Sequence, residues 1–165
     1  MKSLEEILTY QDKNVLMRLT AAHPEFPKDE EFLNRLWDDL MRFLWLYARA
    51  EAYKKEHPEA NLPDIGITES MLIIDEIWHE FVLLTVSYHK FCDEYIGFYL
   101  HHPPLLTKYR NNTKTMNEEE ASELFVSEMV QTTFDKLGEE IAVRWFDEYM
   151  NHLPTNSEDM KADLG

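Results

Sequence analysis

Asp75 and His79 stand four residues apart in the run Asp75-Glu76-Ile77-Trp78-His79. On a helix that spacing puts a carboxylate and an imidazole one turn apart on one face. Two such donors can grip one metal ion, and the same spacing serves an ordinary surface hydrogen bond. His89 and Asp93 repeat it, with Cys92 between them and the adjacent His101 and His102 close behind. The candidate ligands are therefore Asp75 and His79, or the later group of His89, Asp93, His101 and His102. Nitrogen and oxygen donors of this kind suit zinc, iron or manganese more than copper(I).

Distance limits how these residues combine. Cys92 is 13 residues from His79, about 20 Å along a straight helix. His101 is 22 residues away, so neither can share an ion with His79 unless the helix breaks or the chain folds back. After Gly97 the chain can turn, which brings His101 or His102 towards the last turn of the long helix, beside His89 and Asp93. A site on Asp75 and His79 would then need a ligand from another helix, such as His23 or His57. Other chemistries lack their carriers. His79 is followed by Glu80, Phe81, Val82 and Leu83, which rules out HExxH, and there is no GxSxG, GxGxxG or GxxxxGK[ST]. Cys92 falls on an apolar helix face with Asp93 and Glu94 next to it, a setting that disfavours a reactive thiolate.

The elements that must position these residues read as helices. Ser3 with Glu6 has capping-box spacing, and apolar positions from Leu4 to Leu19 carry a first helix, bent near Gln11, up to Pro24. A second begins after Pro27, with Phe32, Leu36, Trp37, Leu40, Phe43, Leu44 and Tyr47 on one stripe, and stops at His57-Pro58. Residues 58–67 form a connection. Residues 68–97 contain no Gly or Pro before Gly97 and predict the longest helix, apolar on more than one side and hence central. Residues 109–112 read as an exposed loop, Asn117 opens a further helix that Gly138 interrupts, and Ile141, Trp145, Phe146 and Tyr149 resume the spacing.

Composition agrees. The chain has 165 residues, 44% hydrophobic and 13% aromatic, with 4 Gly and 7 Pro. So few turn formers argue against a sandwich or barrel. The expectation is an all-α fold: one compact domain over residues 1–153, five or six helices around the long central one, and a flexible tail over 154–165. The net charge of −16 repels a phosphate backbone, and Lys90 is the one base between residues 61 and 100, so nucleic acid is excluded as a partner. No apolar run approaches the roughly 20 residues of a membrane span. A lone cysteine and an acidic start, Met1-Lys2-Ser3-Leu4-Glu5-Glu6, point to the cytoplasm.

Trp78-His79, Tyr88, Cys92 and Gly97, spaced as W-H-x8-Y-x3-C-x4-G and followed by His101-His102 and the two prolines, resemble the signature of the glycine-rich domain-containing protein-like family. Asp75, three residues before the Trp, and Thr85 add to the likeness, which spans residues 72–104. Four glycines cannot make the segment for which that family is named. The resemblance implies a helical domain without a defined reaction, in which Asp75, Trp78, His79, Tyr88 and the His101–His102 turn act as one unit. Two functions follow. In the first the chain is an acidic helical accessory or protein-interaction module, its polar residues bracing helix to turn. In the second it is a metal-binding protein or metal-dependent enzyme.

Overall fold

Side-chain caps set where most of the helices begin. Ser3 and Asn117 each form a full capping box, with Glu6 and Glu120 respectively, and the carboxylates of Asp12 and Asp29 accept from the backbone N–H groups of Asn14 and Phe32. Each satisfies a donor that a helix start would otherwise leave open. In the computed structural model, which describes residues 1–60, 62–103 and 117–152, these caps open α1 (Leu4–Ile7), α2 (Lys13–Ala22), α3 (Glu30–Glu56) and α6 (Glu118–Leu137). Between α3 and α6 come α4 (Leu72–Leu83) and α5 (Thr85–Phe91), and α7 (Glu139–Phe146) follows α6. No strand occurs among the described residues, and the fold is one compact all-α domain.

Two expectations about length change. The first helix is two, α1 and α2, with the break at residues 8–12 where a bend was expected. The expected helix over 68–97 is a 3-10 turn (Glu69–Met71), α4, α5 and a π turn (Cys92–Ile96) in succession. Leu84, at φ −82° and ψ 63°, leaves the helical region and separates α4 from α5. The longest helix is instead α3, whose 27 residues extend for about 40 Å. It ends with His57, where Pro58 makes helix unfavourable. The exposed loop expected at residues 109–112 and the tail expected at 154–165 lie outside the described residues.

The piece that stays central is α4. Ile73, Ile74, Ile77, Trp78 and Phe81 are wholly buried, and the helix packs on α2, α3 and α5. Around its far end an aromatic cluster gathers Tyr10, Trp37, Phe81, Phe91 and Tyr95, with neighbouring ring centroids 5.0–6.1 Å apart. Trp37 Nε1 donates to the Tyr10 carbonyl at 2.9 Å, so the indole sits in the core without an unpaired donor. A second buried knot ties α3 to the C-terminal helices. Asp39, fully buried, accepts from Arg144 Nη1 at 3.0 Å, from Arg42 at 2.8 Å and from the Tyr149 hydroxyl at 2.7 Å.

Candidate metal centre

Where α5 ends, the chain turns back on itself. The π turn closes with the Gly97 N–H donating to the Cys92 carbonyl at 2.7 Å, and Gly97 adopts φ +94°, a conformation that costs a side-chain-bearing residue dearly. Residues 98–103 then retrace α5 and α4. Tyr99 meets the rings of Tyr88 and His89, the Leu100 carbonyl accepts from Tyr88, and His102 arrives beside Asp75, Trp78 and His79. The fold-back required for a histidine beyond Gly97 to meet His79 is therefore made.

It joins different partners from those expected. His102, placed by sequence near His89 and Asp93, stands with Asp75 and His79 instead, because the returning segment runs past α5 to reach α4. The three offer ligand atoms that all lie within 4.8 Å of one another, and they form the one such His, Cys, Asp or Glu group found among the described residues. His102 Nε2 is 3.0 Å from Asp75 Oδ1, and His79 Nδ1 is 3.7 Å from Asp75 Oδ2. Donors about 2.1 Å from a shared ion stand about 3.0 Å apart across a right angle and about 3.4 Å apart across a tetrahedral one. The His102–Asp75 pair already has such a spacing, and the His79–Asp75 pair, made to the other carboxylate oxygen, is slightly longer. The two imidazoles stack with centroids 4.4 Å apart, and His102 also lies against the Trp78 indole at 4.1 Å.

Burial grades across the group. Asp75 is 4% exposed, the His102 side chain 14% and the His79 side chain 49%, so the His79 edge opens to solvent. A carboxylate this buried needs partners, and the imidazoles supply them. The surroundings are negative. Glu76 lies 3.9 Å from His79 Nδ1 and is approached from the end of α2 by His23 Nε2 at 3.3 Å. The Glu76 carboxylate beside it, with the Asp75 charge adding to it, holds the His79 pKa above its usual 6.5 against the effect of burial. His23, foreseen as a recruit from another helix, thus reaches Glu76 and not the ligand group. Glu76 was missed, although it precedes His79 by three residues on the same helix and so shares its face.

The remaining candidates stay apart. His89 and Asp93 pair with each other at 3.0 Å on the exposed side of α5, where they line an open depression with Thr85, Val86, Lys90 and Glu94. His101 packs edge-on against Tyr99 and joins neither group. His57 lies against the Tyr53 ring, tilted, at the end of α3. Cys92 is fully buried, and burial raises its thiol pKa, as expected of a core cysteine. Behind the three grouped side chains runs a buried hydrogen-bond chain: Trp78 Nε1 donates to the Tyr88 hydroxyl at 3.1 Å, which donates to the Leu100 carbonyl at 2.6 Å. Burial holds the Tyr88 hydroxyl far above its usual pKa, so it keeps the proton it donates.

No helix among the described residues is long and apolar enough to cross a membrane. No curated protein and no solved structure matches the chain. A family model described as UCP032817-like matches residues 5–119, a span that starts within α1 and takes in α2 to α5 and all three grouped residues. This is not the glycine-rich domain-containing family that the W-H, Tyr, Cys and Gly spacing resembles. Trp78, Tyr88 and Cys92 are core residues, and Gly97 sits at the positive φ that closes the turn. On a match over most of its length, the chain belongs to the UCP032817-like family.

Proposed function

We propose that the protein binds a divalent transition-metal ion through Asp75, His79 and His102. The observation that carries this reading is the gathering of two imidazoles and one carboxylate within 4.8 Å, from residues 27 positions apart in the chain. Two nitrogens and one oxygen suit iron(II), zinc or manganese(II), and three protein ligands leave positions open for water or another small ligand. The solvent-facing edge of His79 supplies the entry side. Acidic neighbours, Glu76 and Glu80, favour a cation there.

A second reading has its own support. The 3.0 Å contact from His102 to Asp75, backed by the Trp78 ring, is also what a brace between a returning segment and a helix requires. In that case the group is structural and the domain serves as an accessory or interaction module. Metal content separates the two. Protein purified without an affinity tag, stripped with chelator and titrated with zinc, iron(II) and manganese(II), is expected to take up one ion per chain. Asp75→Ala, His79→Ala and His102→Ala should each abolish uptake while keeping the helical circular dichroism, and His89→Ala and His101→Ala should bind like the parent. Wild-type protein that takes up none of the three metals leaves the brace reading in its place.

A further inference from the structure

His102 is the one grouped residue outside α4, and its segment has no regular structure of its own. Residues 98–103 nonetheless pass α4 at a fixed height, with Leu100 buried and His102 within 3.0 Å of Asp75. Gly97 sets the direction of the return. Its height is set two residues before His102, where the Leu100 carbonyl accepts a hydrogen bond from the Tyr88 hydroxyl at 2.6 Å. The same hydroxyl accepts from Trp78 Nε1 at 3.1 Å, and Trp78 carries the His102 ring on its indole. One oxygen thus ties the residue beneath His102 to the backbone leading into it.

We propose that Tyr88 is the positioning residue of the Asp75–His79–His102 group, its hydroxyl holding residues 98–103 where His102 meets Asp75. The functional meaning of this role rests on the metal reading. Removing the hydroxyl leaves both a buried indole N–H and a buried carbonyl without their partner, and the segment then shifts to recover one. The ring itself is held separately, edge-on to Phe81 at 5.0 Å and to Tyr99 at 5.7 Å, so Tyr88→Phe subtracts the oxygen and little else.

Tyr149 provides a matched control, being a buried tyrosine whose hydroxyl donates to Asp39 at 2.7 Å in the other knot. Full-length wild type, Tyr88→Phe and Tyr149→Phe are compared by zinc titration and by the histidine ring signals of metal-free protein in NMR. Both variants should melt below the parent. Only Tyr88→Phe should bind zinc about tenfold or more weaker, in the range typical of lost outer-shell partners, and only it should move the His102 ring signals. A Tyr88→Phe protein that melts lower but keeps the parent's zinc affinity and His102 signals, as Tyr149→Phe does, overturns the proposal. If wild type takes up no metal, the metal reading fails, and the His102 signals alone decide: moved in Tyr88→Phe they uphold the positioning role, unmoved they end it. Should Tyr88→Phe lose its helical spectrum, Trp78→Phe replaces it, and unaltered zinc affinity with unaltered His102 signals there has the same overturning force.

Discussion

On the proposed metal reading, protons and metal ions compete for His79, and the two equilibria run in opposite directions with pH. Glu76 and Asp75 hold its pKa above 6.5 in the folded chain. The protonated ring therefore stabilises the metal-free fold in full below the unfolded value of about 6.5, and this contribution fades as pH rises through the higher folded value. His79 is half exposed, so solvent screening keeps the effect to a few tenths of a kcal/mol. Urea denaturation of metal-free His79→Gln should show that loss at pH 6 and none at pH 9. Zinc affinity of the parent should instead climb from pH 6 to pH 8, because the imidazole must shed its proton before it can ligate. Asp75 and His79 are legible as a pair from their spacing alone. Their third partner is not, because no spacing along the chain encodes a contact made across a reversal.

At the scale of elements, the turn at Gly97 does what the helix before it cannot. Its φ of +94° lies where an L side chain is strained, while there is room for a methyl group, the nearest atom to an added Cβ being the Met1 nitrogen at 3.8 Å. Gly97→Ala should therefore cost about 1–2 kcal/mol through backbone strain and not through a clash. Zinc binding should weaken with it, since the return of His102 starts there. Gly138, also at φ +94° but between α6 and α7, is the comparison: Gly138→Ala should lose stability and keep zinc affinity. Calorimetry of both variants, with and without zinc, checks the pair. The helix starts at Ser3, after Pro27 and at Asn117 were readable because the residues that open a helix act locally, within its first turn. The break at Leu84 was not, since no proline or glycine marks it.

Across the whole molecule the Asp39 knot joins the segment that matches the family to helices beyond it. Asp39 and Arg144 are 105 residues apart in sequence and 3.0 Å apart in space. Asp39→Ala leaves the Arg144 guanidinium buried with the exposed Glu140 carboxylate as its remaining ion-pair partner at 2.6 Å. Loss of one partner from a buried ion pair costs about 3–5 kcal/mol, and the remaining contact to Glu140 places the expected value at the lower end. Thermal denaturation should show it as a large fall in melting temperature with zinc uptake retained in the folded state, because the knot does not touch the Asp75 group.

Apolar spacing, caps and the scarcity of glycine and proline determined the all-α class and the course of α3 and α6. These are properties of a residue and its near neighbours, and they act before the chain has folded. The tertiary structure decided the rest: that residues 68–97 break at Leu84 and close in a π turn, that His102 and not His89 or His101 joins Asp75 and His79, and that Tyr88 spans from Trp78 to Leu100. Each depends on how far a reversed segment travels before a buried donor finds its acceptor. That distance is set by packing against α4, which no local pattern records.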